Sequence, residues 1–545
     1  MKLPSSTLAL LGIAGLASAV RPEEVFRRAE KYRPVVEKRI PGQPFRSSRL
    51  QERAFNFRNN ATEKFVVNGT GIPDVPFDIG ESYAGLLPIS DAPNETRELF
   101  FWFFPTTNPA PTDEIVIWLN GGPGCSSLSG LLTENGPFTW ESGTLAPVLN
   151  PYTWVNLTNM LWVEQPVGVG YTQGLPNIVD EVGLGKEFVG FYQQFVKAFG
   201  IQGWDLFLTG ESYAGFYVPY IADAFITAAD PDIHLKGISI NNPLIGAVPT
   251  QQVTIGPYLR YWQKSLFLND SFIERFEARD RECNYSQYLD TYLQFPPPTG
   301  PFPVLPNPYD TDNATCDQLD NAFDAIVEVN PCFNIYHISE TCPHLYSVLG
   351  KVNEHDYVPP GAQIYFNRTD VKAAIHAPLD VNWIQCGDGV FRNSTSETED
   401  ASLAPTQNGV LARVIEYTNN TIIGSGELDM LLTTNGTLLA VQNMTFNGAQ
   451  GLSSRPETPF YVPYHPEFNK GALAGAGYLG SWVHERGLTF YTVRLAGHEL
   501  PGFAPGAAYR MLELLLGRIK DLSQIGDFTT QTGNFTGTSP LLRRR

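Results

Sequence analysis

The sequence predicts an α/β protein built on a mostly parallel sheet with helices on both faces. Three observations carry this. Apolar runs recur at 114–119, 160–163, 206–208, 237–240, 421–423 and 488–493. They are continuous rather than alternating, as in strands buried on both faces. Helical patterns such as Gly185–Phe195 lie between them and fit βαβ units. The pattern then breaks at 247–404, where prolines cluster (Pro296, Pro297, Pro298, Pro301, Pro303) and five of the six cysteines fall. This stretch reads as an inserted, disulfide-stapled lid. The predicted organisation is a first core part at 51–246, the insertion at 247–404, a second core part at 405–530 and a tail at 531–545.

The first strand-to-helix junction that carries chemistry is Gly210-Glu211-Ser212-Tyr213-Ala214-Gly215. It joins the strand-like Trp204–Thr209 to the helix-like Phe216–Ile221. A serine on such a turn has its hydroxyl pushed out of the sheet, and the next backbone N–H lies where an oxyanion forms. This is the nucleophile elbow of the α/β-hydrolase fold. The usual second glycine is Ala214 here, with Gly215 one step later. The bland alternative is a turn serine.

A serine nucleophile needs a base, and the base an orienting carboxylate. In this fold they follow in the order Ser, Asp or Glu, His, each after a strand. Gly424-Ser425-Gly426-Glu427-Leu428-Asp429 follows the strand at 421–423, and Ala496-Gly497-His498-Glu499 follows the strand at 488–493. His498 is therefore the expected base, and the other histidines after Ser212 read as surface or lid residues. Asp429 is the expected orienter, with Glu427 as the alternative. The turn Asn120-Gly121-Gly122-Pro123-Gly124-Cys125 follows the strand at 114–119 and fits a second oxyanion-hole donor. It has no Gly-Lys-Ser/Thr continuation, which argues against a phosphate loop.

Composition sets the setting. The chain has 545 residues, 43% hydrophobic, enough for a large core. A net charge of −19 argues against nucleic acid or an anionic membrane surface as partner. Residues 1–19 read as a signal peptide: Lys2, an apolar run at 8–16, then Ala17-Ser18-Ala19. Residues 20–50 read as a propeptide or an extended arm. No later stretch suits a transmembrane helix or lipid anchor. Sequons stand at Asn60, Asn68, Asn94, Asn156, Asn269, Asn284, Asn313, Asn367, Asn393, Asn419, Asn435, Asn443 and Asn534. With the signal peptide they point to an exported glycoprotein, extracellular or in a vacuole- or lysosome-like compartment. Cysteines in such a chain pair, though six allow 15 pairings. Only Cys342 and His344 form a tight Cys/His pair, and no metal site is expected.

In order, the segments Trp118–Ser127, Trp162–Tyr171, Gly210–Gly215, Gly426–Asp429 and Gly497–Pro501 resemble the serine carboxypeptidases of the carboxypeptidase Y and cathepsin A type. The likeness spans about 100–245 and 415–510. It implies Ser212 as nucleophile, His498 as base then acid, and Asp429 as its orienter. Gly122 and Tyr213 would supply oxyanion N–H groups. Asn120, Gly121, Glu134 and Glu211 would bind the terminal carboxylate of a peptide or protein substrate. Cys125 and Cys386 would form a long-range disulfide. The other four would staple the lid in a nested pairing, Cys283 with Cys342 and Cys316 with Cys332. No cofactor is implied.

Two glutamates facing a peptide carboxylate cannot all ionise, so an acidic optimum for peptides is expected. Glu499 stands where carboxypeptidase Y-type members carry methionine, which suggests a preference for basic termini. Three rivals remain: an acyltransferase of the same family, an esterase indifferent to a free carboxylate, and a catalytically idle binding protein. The sequence leaves the oligomeric state open.

Overall fold

The structure is a computed structural model that describes residues 56–108, 113–305, 316–352, 355–356, 362–392, 400–464 and 475–530. The expected signal peptide, the arm at 20–50, the tail at 531–545 and the sequons at Asn313, Asn393 and Asn534 lie outside the described residues.

Ten strands form one sheet: β1 (Tyr83–Pro88), β2 (Glu98–Phe104), β3 (Glu114–Leu119), β4 (Asn159–Val163), β5 (Trp204–Glu211), β6 (Ile233–Asn241), β7 (Thr421–Gly426), β8 (Thr458–Val462), β9 (Gly477–Glu485) and β10 (Leu488–Val493). Their spatial order is β1-β2-β4-β3-β5-β6-β7-β10-β9-β8. The run from β4 to β10 is parallel, and both edges are antiparallel. The six apolar runs of the sequence are the six parallel strands.

Each parallel strand is buried on both faces, and alternate residues serve different cores. Ile115, Ile117, Leu206, Leu208, Ile238 and Ile240 join one core. Val116, Trp118, Phe207, Trp162 and Tyr491 join the other. Helix α1 (Glu181–Phe199) covers the first face through Leu184, Phe188, Phe191 and Phe195. Asp180 caps it by accepting from the Gly183 N–H at 2.7 Å, and Gly200 ends it at φ 70°. Helix α2 (Ala214–Ala228) lies beside α1 and adds Tyr217, Val218 and Ile221.

The chain between β6 and β7 builds helices α3 (Pro249–Trp262), α4 (Asp270–Glu282), α5 (Tyr285–Tyr292) and α6 (Gln318–Val329), followed later by α7 (Val410–Thr418). A separate apolar cluster joins Ile255, Leu259, Ile273, Phe276, Ala322 and Ile326 to Phe333 and Ile338. Leu428 and Met430, which flank Asp429, belong to it. The insertion is thus packed against the loop after β7. Helices α8 (Thr434–Gln442) and α9 (Pro505–Leu515) close the fold, α9 on the second core through Ala507, Met511 and Leu512.

The disulfides are Cys125–Cys386, Cys283–Cys316 and Cys332–Cys342. The long-range bond is the expected one. The nested pairing is corrected: the four insertion cysteines pair in sequence order. Cys283 ends α4 and Cys316 immediately precedes α6, and the packing of these helices sets that pair. Cys332 and Cys342 instead close a short loop over His498.

That loop yields a prediction. Tyr336 and His337 lie within it and touch the His498 segment. Replacing both Cys332 and Cys342 by serine should cost about 3 kcal/mol by loop-closure entropy. Turnover should also fall while the far-ultraviolet spectrum is kept, as circular dichroism and steady-state kinetics would show.

Candidate active site

Ser212 sits between β5 and α2 with φ 63°, a left-handed conformation that costs a non-glycine residue energy. The neighbouring chain holds it there. The Ser212 N–H donates to the Asn241 carbonyl at 3.1 Å, and the Ser212 carbonyl accepts from the Leu244 N–H at 3.0 Å. The turn after β3 approaches this elbow so closely that only glycine fits at 121. A Cβ there would stand 2.4 Å from the Tyr213 nitrogen and 2.7 Å from the Ser212 Cβ. Gly122 follows at φ 111°. The structure therefore brings Gly121, Gly122, Ser212 and Tyr213 to one place.

His498 and Asp429 meet at the carboxyl ends of β10 and β7. The imidazole Nδ1 lies 2.7 Å from Asp429 Oδ2, and both side chains are buried. Asp429 is held on every side. Its Oδ1 accepts from the N–H groups of Leu431 (2.9 Å) and Leu432 (3.1 Å), and its Oδ2 also accepts from Asn242 Nδ2 at 2.9 Å. Burial disfavours a charged His498, but the charge and hydrogen bond of Asp429 outweigh it and raise the imidazole above its ordinary value. Glu427 faces elsewhere and accepts from Thr492 Oγ1 at 3.0 Å. Of the two carboxylates considered from sequence, Asp429 is the one that reaches the histidine.

Residues that the sequence did not reveal complete this arrangement. Asn242 sits just after β6 at φ 42°; its Oδ1 accepts from the Gly426 N–H at 2.9 Å while its amide holds Asp429. The signal was an Asn-Asn-Pro turn at the end of a buried strand. Tyr336 accepts the His498 backbone N–H at 2.8 Å, and its ring lies 4.9 Å from the imidazole. His337 stacks on Phe503 at 4.2 Å.

Beside the elbow lies a second buried group. Asn120 Oδ1 accepts from Trp118 Nε1 (2.9 Å) and the Gly130 N–H (3.0 Å). The amide is thereby fixed with Nδ2 toward the acids, 2.7 Å from Glu211 Oε1 and 3.5 Å from Glu134 Oε1. The second carboxyl oxygens of Glu134 and Glu211 are buried with no hydrogen-bond partner in the structure. Burial comes first, and neighbouring acid charges second, in pushing Glu134 and Glu211 above the usual carboxyl range. Glu499 is close by, since a Cβ on Gly502 would lie 3.5 Å from Glu134 Cγ and 4.0 Å from Glu499 Cβ. Glu499 itself is exposed.

The Gly122 turn is anchored from behind. Cys125–Cys386 is flanked by Ser126 N–H donating to the Gln385 carbonyl (2.8 Å) and Gly387 N–H donating to the Gly124 carbonyl (2.9 Å). Glu164, fully buried, accepts from Ser126 and from Trp383 Nε1 at 2.9 Å; burial pushes it up to about 7.

A strained serine at a strand-to-helix turn, with a buried His–Asp pair at the same sheet edge, defines an α/β-hydrolase with a serine-type site. The sequence profile of the serine carboxypeptidase family matches residues 73–518, and the chain belongs to this family. A probable serine carboxypeptidase of Arthroderma benhamiae is 46% identical over 479 residues, covering 86% of this chain and 88% of that one. Serine-type carboxypeptidase F of Aspergillus niger is 43% identical, covering 85% and 88%. The crystal structure of Kex1, a prohormone-processing carboxypeptidase from Saccharomyces cerevisiae, shares the fold with TM-score 0.63 at 21% identity, over 84% of this chain and 98% of that one. The protein is a serine-type carboxypeptidase acting on peptides. No helix among the described residues is long and apolar enough to cross a membrane.

The raised carboxyls predict how stability varies with pH. Glu134, Glu164 and Glu211 bind protons more tightly folded than unfolded, so their contribution to stability is full below the unfolded carboxyl range and declines as pH rises through their raised values. The melting temperature should be higher at about pH 5 than at about pH 8. Glu211→Gln should shrink the difference, as differential scanning fluorimetry across pH would show.

Proposed function

We propose that the protein releases single residues from the C-termini of peptides and proteins through an acyl-enzyme on Ser212. The observation that carries this is the buried Asn120–Glu134–Glu211 group beside the elbow. A generic esterase has no use for unpartnered, proton-holding carboxyls at this point. A substrate carboxylate supplies the missing acceptor. With a proton kept between them, Glu134 and Glu211 act as donors, and Asn120 and the Gly121 N–H add to the set.

The chemistry follows from the atoms available. His498 Nδ1 is engaged by Asp429, so Nε2 is the face left for Ser212. Ser212 Oγ attacks the scissile carbonyl carbon while His498 takes its proton. The carbonyl oxygen becomes an oxyanion, received by the N–H groups of Gly122 and Tyr213. His498 returns the proton to the leaving nitrogen, the C–N bond breaks, and the terminal amino acid departs. Water then attacks the acyl-enzyme with His498 again as base. Asp429 holds the tautomer and stabilises the imidazolium.

The pH dependence has a definite sign. Below the raised range of Glu134 and Glu211 the pair keeps its proton and binds a carboxylate. Above it the pair becomes a second and third negative charge against the substrate, and KM rises. Binding of peptides is thus favoured below that range, and substrates without the carboxylate escape this loss. An N-blocked dipeptide with a free C-terminus should be cleaved far better than its amide at about pH 6, with the advantage shrinking by about pH 9. Ser212→Ala should abolish both cleavages. Equal cleavage of acid and amide at both pH values would sink the carboxypeptidase reading of this site.

Glu499 gives a finer expectation. Glu499 is exposed and its Cβ, like Glu134, lies near Gly502; a terminal lysine or arginine would pair with it there. Glu499→Met should lower the kcat/KM ratio of Lys-terminated over Leu-terminated peptides by about tenfold, roughly one charge-assisted contact. An unchanged ratio removes this role.

An exported, glycosylated protein fits the leader-like N-terminus and the sequons. Asn60, Asn68, Asn94, Asn269, Asn284 and Asn419 are exposed. Asn367 is a poor acceptor, since its amide donates to the Trp383 carbonyl and its oxygen accepts the Trp383 N–H, both at 2.6 Å.

A further inference from the structure

A second buried carboxyl, separate from the peptide-carboxylate group, stands near Tyr213 of the elbow. Glu181 opens α1, is fully buried, and neither of its carboxyl oxygens has a hydrogen-bond partner in the structure. Asp400 faces it, on the limb by which the insertion returns to the core. This limb is strapped to the start of α1: the Ala401 N–H donates to the Val179 carbonyl at 3.0 Å, and the Glu181 N–H donates to Ser402 Oγ at 2.7 Å. Asp400 Oδ1 accepts from the Ser402 N–H at 2.9 Å, and its Oδ2 accepts from the Tyr213 hydroxyl at 2.8 Å. Two acids meeting without a cation can stay together only by sharing a proton. A neutral Glu181 would donate its proton to Asp400 and so satisfy a carboxyl that nothing else among the described residues reaches.

This contact reaches the oxyanion hole by a short path. The Tyr213 ring stacks on Phe216 at 5.0 Å and meets Tyr217 edge-on at 5.3 Å. The Tyr217 hydroxyl accepts the Gly124 N–H at 3.1 Å, two residues past Gly122. The Tyr213 hydroxyl thus ends at this carboxyl pair, and its ring contact with Tyr217 links it to the Gly122 turn.

We propose that Glu181, as a neutral acid hydrogen-bonded to Asp400, is a positioning residue that locks Tyr213 and so fixes the oxyanion hole, and that loss of its proton releases the lock. The proposal rests on the reading of Tyr213 as an oxyanion donor. Among the described residues, the other ionisable groups facing the pair are Asp180, which caps α1, and the phenols of Tyr213 at the start of α2 and of Tyr217 and Tyr220 on it. Among the described residues neither acid pairs with a lysine or arginine. Burial first, then the Asp400 charge, holds Glu181 well above the carboxyl range, so the lock is closed in acid and opens at higher pH.

The test uses an N-blocked amino acid ethyl ester, which has no free carboxylate and so is blind to Glu134 and Glu211. The wild-type kcat should fall at least about fivefold between about pH 6 and about pH 9.5, with KM little changed. In Glu181→Gln, whose amide donates to Asp400 at every pH, the fall should be under about twofold; Glu181→Leu, which cannot donate, should be slow throughout. Tyr213→Phe, which keeps the main-chain N–H but drops the link, should lower kcat and make a further Glu181→Leu change nearly silent. A wild-type kcat flat to about pH 9.5, or an alkaline fall that persists unchanged in Glu181→Gln, overturns the proposal. A wild type that turns over neither ester nor peptide overturns the underlying reading as well, a result distinct from either.

Discussion

The constraint on which this site depends is the desolvation of acids. Glu134 and Glu211 are buried at 3% exposure each, within reach of one amide, and no cation neutralises them among the described residues. Burying two charges so close costs far more than keeping a proton. Much of the surrounding structure serves to hold that arrangement. Trp118 and the Gly130 N–H turn the Asn120 amide the right way round. A side chain at Gly130 would collide with both, its Cβ 2.2 Å from Trp118 Nε1 and 2.7 Å from Asn120 Oδ1. The acids proposed to receive a substrate carboxylate are also ones whose raised proton affinity favours the folded state at lower pH.

The scaffold solves a related problem of precision. Ser212, Asp429, His498 and Asn242 all lie at the carboxyl edge of adjacent parallel strands, where the backbone of each strand fixes the next. The insertion is part of this machinery rather than an ornament over it. Leu428 and Met430 pack into its core, Tyr336 holds the backbone of His498, and the 400–402 limb grips Tyr213. A shift of the insertion would disturb the Asp429 loop, the His498 backbone and Tyr213 together.

The parallel centre of the sheet was legible because strands buried on both faces leave continuous apolar runs. Strand β9 was not, since its residues are mostly half-exposed and its antiparallel partners give no such run. Ser212, Asp429 and His498 stood out because their chemistry demands particular residue types after particular strands. Asn242 and Tyr336 did not, because an amide holding a carboxylate or a carbonyl holding a backbone N–H leaves no mark in spacing. The insertion cysteines show the same limit. Spacing could not tell that α4 and α6 bring Cys283 to Cys316, since that proximity is made by Phe276, Ala322 and Ile326 in the insertion core. Glu181 was invisible for a further reason: on sequence it is an ordinary acid in the first turn of a helix.

The most direct test of the central claim is proton uptake on binding. Titration calorimetry of a non-hydrolysable peptide analogue with a free C-terminal carboxylate, repeated at about pH 9 in buffers of different ionisation enthalpy, counts the protons exchanged. The shared-proton site predicts net uptake by the complex, absent for the amidated analogue and reduced in Glu211→Gln. Binding of the free acid with no proton uptake would show that the buried pair is not what receives the carboxylate.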